Sequence, residues 1–199
     1  FCPGESNLRA RWGIAPETPL IGLAARFDPK KDHPAFLKAA AILAGTREDV
    51  RFVLLGGGGP PEYRETLTQL VNELGLGQQV VWAGDESDMT AAYNSLSILT
   101  LASAYGEGFP NTVGEAMACG VPCVVTDTGD SALIVGNDAH VVPIQDPGQM
   151  ARAWQDILEM RPDERQTLAS AARSRIVQNF STDAMIKASI RIYDEVMKG

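Results

Sequence analysis

Four charged residues carry the chemistry this sequence could do. Glu107 and Glu115 bracket Gly108-Phe109-Pro110-Asn111-Thr112, a run that reads as a loop entering a helix. The free amides of Phe109, Asn111 and Thr112 at such a helix start favour an anion, through their N–H groups and the helix dipole. Gly106 and Gly108 let the backbone come close to a ligand. A carboxylate repels phosphate, so two of them beside an anion site must serve neutral donors. The hydroxyls of a sugar and of a ribose fit that need. Arg26 and Lys31 follow an earlier apolar run and supply positive charge. Arg forks onto phosphate oxygens and Lys adds a compact charge. Plainer readings stand beside these. Thr112-Val113-Gly114-Glu115 matches a capping box. Glu107 serves equally as a solvated loop residue, and Arg26 and Lys31 as surface charges. Lys is unfavourable at a helix N-terminus, which makes Arg26, Lys30 and Lys31 together there unusual.

These residues need elements to hold them. Apolar, β-branched runs at 20–25, 50–55, 80–83, 98–102, 123–126 and 141–143 predict strands. Helical patterns lie between them at 34–45, 61–74, 89–96, 112–119 and 131–135, after a short helix near 6–12. Alternation of this kind predicts an α/β fold, a Rossmann-like parallel sheet with helices on both faces. Little polar alternation appears within the strands, as expected when both faces are buried. From residue 146 onward the pattern is helical only, at 149–160, 163–180 and 182–198. One domain covers the chain, with no internal boundary and no repeat. In such sheets ligands bind beyond the carboxyl ends of the strands, at a topological switch point. Arg26, Lys31, Glu107 and Glu115 all fall after strand ends. The run Gly56–Gly59, with Gly57 inside it, is either a tight turn beside a nucleoside or a plain turn. It lacks the spacing of a dinucleotide fingerprint. A base would lie near 81–84, where Trp82 either flanks it or belongs to the core, the core being preferred.

Bulk properties exclude several classes. There are 17 basic and 25 acidic residues, a formal net charge of −8. That balance opposes non-specific nucleic-acid binding. A phosphate ligand is still compatible, because two placed cations and a helix start act locally. Cys2, Cys119 and Cys123 form no framework, which fits a reducing compartment. Cys119 and Cys123 read as small buried apolar residues, and with only His33 and His140 as further soft ligands no metal site is expected. No stretch reaches the ~18 to 20 apolar residues a bilayer span requires.

Glu107 to Glu115 is Glu-x7-Glu within "SAYGEGFPNTVGEAMACGVPCVVTD". This resembles the donor-site signature of glycosyltransferase family four, retaining enzymes of the GT-B fold. Arg26 and Lys31 resemble that family's Arg-x4-Lys pair. "RFDPKKDHPAFLKAA", "FVLLGGGGP", "VVWAGDESDM" and "GDSALIVG" fall in the family's order, so the likeness covers nearly the whole chain. Two positions depart from it. The glutamate of a Gly-Gly-x-x-Glu run is absent after Gly129, and Asp32 stands where Gly is common.

The resemblance implies the C-terminal, donor-binding half of a two-domain enzyme. Phe1–Gly13 would end an interdomain linker, and the helix 182–198 would cross back toward an N-terminal acceptor domain absent from this chain. Arg26 and Lys31 would clamp the diphosphate, Glu107 the hexose and Glu115 the ribose, with the amides from Gly108 to Thr112 facing the sugar and diphosphate. The implied reaction moves a hexosyl group from a nucleoside diphosphate sugar to an acceptor hydroxyl with retention, in polysaccharide or glycoconjugate synthesis. The nucleotide sugar is a substrate, and neither cofactor nor metal is implied. A cytoplasmic setting follows, with peripheral membrane association through the missing half. Two other classes share the fold: a non-catalytic nucleotide-sugar-binding module and a nucleotide-sugar epimerase. The intact Glu-x7-Glu favours a transferase over the epimerase. The chain alone is expected to bind nucleotide without transferring sugar.

Overall fold

The computed structural model of the 199-residue chain describes residues 1–136 and 140–198. Six parallel strands form one sheet: β1 (Leu20–Ala24), β2 (Arg51–Leu55), β3 (Val80–Gly84), β4 (Ile98–Leu101), β5 (Cys123–Thr126) and β6 (Val141–Val142). Their spatial order is β3-β2-β1-β4-β5-β6. This is the Rossmann order, and its direction reverses between β1 and β4. Helices α1 (Leu8–Arg11), α2 (His33–Ala44), α3 (Pro61–Glu73), α4 (Met89–Asn94), α5 (Asn111–Ala118), α6 (Ser131–Val135), α7 (Pro147–Glu159), α8 (Pro162–Asn179) and α9 (Thr182–Lys198) complete it.

Strand side chains alternate between two apolar layers, as the pleat requires. Ile21, Leu23, Phe52, Leu54, Ile98 and Val124 pack with Phe36 and Leu37 of α2, Leu67 of α3 and Trp154 of α7. Leu20, Val53, Leu55, Leu99 and Val125 face the other way, onto Tyr93 of α4, Met117 of α5, Ile134 of α6 and Ile176 of α8. Phe36 and Trp154 meet edge to face at 5.2 Å, and the Trp154 indole N–H donates to Thr100 Oγ1 at 3.0 Å. Four of the strands are therefore buried on both faces, as their unbroken apolar runs predict. β3 departs from this. It is an edge strand, and everything after Val80 in it is only half-buried.

Two loop features position the site. A 3-10 turn at Pro29–Lys31, not predicted from the pattern, carries Lys31 away from β1. Asp32 then takes φ 45° and ψ 49° and caps α2, its Oδ1 accepting from Ala35 N–H at 3.1 Å. Only a residue tolerant of the left-handed region fits there, which is why Gly or Asp suits the position. The glycine run after β2 is wedged between neighbouring loops. A Cβ at Gly59, where φ is +78°, would collide with the Phe27 carbonyl, and one at Gly56 with that of Ala25. The run is thus a turn that lets the loops after β1, β2 and β3 close against one another.

Candidate functional site

The loops after β1 and β4 meet at the switch point. Ala104 N–H donates to the Lys30 carbonyl at 2.9 Å. This brings Lys31 to Glu107, 76 residues away: its ammonium donates to Glu107 Oε1 at 2.5 Å. Ser103 Oγ donates to the same oxygen, also at 2.5 Å. Only 18% of the Lys31 side chain and 8% of that of Glu107 are exposed. Burial works against ionisation of Glu107, but the hydrogen bonds from Lys31 and Ser103 outweigh it and hold the carboxyl below its usual range. Glu107 is thus a placed acceptor, not a solvated loop residue. Arg26 lies two residues beyond the end of β1 and is exposed, and among the described residues its side chain has no hydrogen bond or ion pair.

Beside this pair, a cleft of about 260 Å³ opens at the carboxyl ends of β1 and β2. It is walled by Ala24, Ala25, Leu55 and Gly56, by Asp85, Glu86 and Met89 after β3, and by Tyr93, Thr112 and Glu115. The start of α5 points into this region. Its N-cap is Pro110, and among the described residues no side chain caps it. The capping box read from Thr112 and Glu115 is therefore not formed. The helix begins one residue earlier, at Asn111, which puts Thr112 inside the first turn and Glu115 in the second. Glu115 turns to the cleft, where its Oε2 accepts from the Tyr93 hydroxyl at 2.7 Å. Glu86 is engaged by Arg11 of α1.

Not every residue singled out by sequence faces this cleft. Trp82 packs on the opposite side of the sheet, its ring 5.9 Å from that of Phe27 and beneath the Arg64 guanidinium at 5.6 Å. Gly57 lies against the Asp85 carboxylate, and its carbonyl accepts from Phe27 N–H at 3.3 Å; its neighbour Gly56 lines the cleft instead. Phe109 turns toward the end of α8, 5.6 Å from the Phe180 ring. There, with Asn111 and the far side of Glu115, it lines a second groove of about 520 Å³. Gly108 is exposed, with open space where a Cβ would stand. Cys119 and Cys123 are buried and free, and burial pushes both thiols up. No group of three or more His, Cys, Asp and Glu arranged to hold a metal occurs among the described residues.

Tyr93, Ser103, Asp85 and Glu86 were not assigned from sequence. A hydroxyl on the apolar face of α4 is the signal that Tyr93 offered. Its partner lies 22 residues on, beyond any local pattern.

The sheet has the order of an open, doubly wound α/β domain, and Lys31, Glu107, Glu115 and the start of α5 follow the strand ends on either side of its switch point. The chain belongs to the glycosyl transferases group 1 family, whose model matches residues 5–175. A curated relative, D-inositol 3-phosphate glycosyltransferase of Mycobacterium marinum, is 28% identical over 210 residues, covering 100% of this chain and 44% of the relative. The chain thus spans less than half the length of the curated relatives it matches. Among solved structures, a glycosyltransferase from Rickettsia africae superposes with a TM-score of 0.85 at 23% identity, over 96% of this chain and 51% of the other. Anabaena Alr3699/HepE, crystallised with UDP and glucose, gives 0.81 at 22% identity, over 96% and 50%. The fold is therefore that of one half of a GT-B glycosyltransferase.

Proposed function

We propose that this chain is the donor-binding half of a retaining glycosyltransferase that moves a hexosyl group from a nucleoside diphosphate sugar to an acceptor hydroxyl, in polysaccharide or glycoconjugate synthesis. The observation that carries the reading is the Lys31–Glu107 pair between the loops after β1 and β4, together with the cleft that Thr112 and Glu115 of α5 line at the switch point. The cations and the α5 amides hold the diphosphate. Arg26 and Lys31 offset the charge that grows on it as the glycosidic bond breaks, a stabilisation made in the transition state. Glu107, tied through Oε1, accepts from a hexose hydroxyl, and Glu115 accepts from the ribose. That Alr3699/HepE was crystallised with UDP and glucose supports a nucleotide sugar as ligand.

The acceptor side belongs, on this reading, to a second domain with which α9 packs. Met185, Ile186, Ile190, Tyr193 and Val196 along α9 are exposed, as a face awaiting a partner would be. No described helix is long and apolar enough to cross a membrane. A cytoplasmic enzyme, peripherally associated with the membrane through that second domain, completes the proposal. The test is calorimetry of the chain with UDP-glucose, GDP-mannose and ADP-glucose. Arg26→Ala should weaken the bound donor by about 1.5–3 kcal/mol, the scale of a charge-assisted contact, with unchanged thermal stability. Unchanged affinity would remove Arg26 from the site, and no binding by any of the three would sink the reading.

A further inference from the structure

Tyr93 is fully buried in the second apolar layer, yet it carries a hydroxyl. A buried hydroxyl without a partner is costly, so its single partner is informative. That partner is Glu115 Oε2, at 2.7 Å. Burial first, and the bond to Glu115 second, push the phenol far above its ordinary range, so the hydroxyl is a permanent donor. Both side chains reach the same cleft, Tyr93 from beneath and Glu115 from the first turns of α5. Among the described residues Glu115 Oε1 has no hydrogen bond. Of the other carboxylates in the cleft, Glu86 is already paired with Arg11.

We propose that Tyr93 is a positioning residue for Glu115 and thereby sets a preference for ribonucleotides over deoxyribonucleotides. The inference rests on the reading of Glu115 as the ribose acceptor. The last torsion of a glutamate is broad and nearly two-fold, so an unrestrained carboxylate turns freely about it. A ribose diol needs both oxygens held in one plane. Tyr93 ties one oxygen, Oε2, and the other has no hydrogen bond among the described residues. The orientation is then fixed before the ligand arrives, which lowers the ordering cost of binding. The rigid phenol itself is set by the second apolar layer, in which Tyr93 is fully buried.

The experiment is calorimetry of the chain with UDP, GDP and ADP and with their 2′-deoxy and 3′-deoxy forms. The ratio of deoxy to ribo Kd is the readout for wild type, Tyr93→Phe, Glu115→Gln and the double variant. Wild type should favour the ribonucleotide by about tenfold or more, the scale of a hydrogen bond to a charged group. Tyr93→Phe should cut that ratio to about threefold or less by weakening the ribo form alone, and should add nothing in the Glu115→Gln background. A Tyr93→Phe ratio equal to wild type, while Glu115→Gln loses it, overturns the positioning role and leaves the ribose reading intact. Equal weakening of ribo and deoxy forms marks a packing role only and also overturns the proposal. A wild type that binds ribo and deoxy forms alike, or binds neither, removes the ribose role of Glu115 and the inference with it.

Discussion

Replacing Lys31 by Met keeps an unbranched stem and deletes the ammonium that meets Glu107. At 2.5 Å and an effective dielectric of about 20, two unit charges attract by about 6 to 7 kcal/mol. Removing the ammonium recovers only its own desolvation and leaves the Glu107 carboxylate, 8% exposed, buried without its cation, so a net loss of about 3 to 5 kcal/mol is expected. The variant leaves Glu107 with Ser103 as its donor. The loss should depend on pH in a definite sense. Glu107 is held below its usual range in the folded chain, so its contribution is present above the unfolded carboxyl pKa of about 4.3. It disappears as pH falls through the folded value. The stability gap between wild type and Lys31→Met should therefore be full at neutral pH and close below about pH 4. Urea unfolding followed by tryptophan fluorescence at pH 7, 5 and 3 measures it. A gap of the same size at pH 3 and pH 7 would show that the ion pair contributes nothing and that the effect lies in the stem.

Glu107→Gln separates the anion from the sugar. Lys31 is freed from its tether, so a nucleoside diphosphate should bind more tightly, by up to about tenfold, while the matching nucleotide sugar loses a charged acceptor and binds more weakly; calorimetry with UDP and UDP-glucose, or the equivalent pair for another base, reads both. Weakening of both ligands alike would mean that Glu107 only supports the loop. His33 is fully buried between Phe27 and Tyr63, with neither ring nitrogen partnered among the described residues, and burial lowers its pKa to about 4. Between about pH 6.5 and 4 the unfolded chain takes up a proton that the folded chain refuses, so wild-type stability should fall on acidification by at most about 3 kcal/mol. His33→Leu should remove most of that slope at little cost at pH 7, and a slope unchanged between pH 7 and 4.5 would assign it to other groups.

The sequence by itself determined the elements and their layering. Runs such as Leu20–Ala24 and 52–55 are apolar on both faces of the pleat, which forces helices onto both sides. Charged groups in loops after strands then collect at one end of a parallel sheet, so Arg26, Lys31, Glu107 and Glu115 were legible as candidates before any distance was known. Their partners were not. Lys31 meets Glu107 only because strand order places β1 beside β4, and that order depends on pairing between residues 77 positions apart, such as Ile21 and Ile98. Spacing made Glu115 look like a cap. The tertiary fold instead started α5 at Asn111 and offered Glu115 a buried phenol from α4. Sequence could say that Trp82 is aromatic and near a strand end, but the face it turns to is set by the alternation along β3, where a shift of one residue reverses every side chain. Local spacing fixes which groups are available. Which oxygen faces which donor is a long-range matter, decided when the two apolar layers close and each buried polar atom takes the partner within reach.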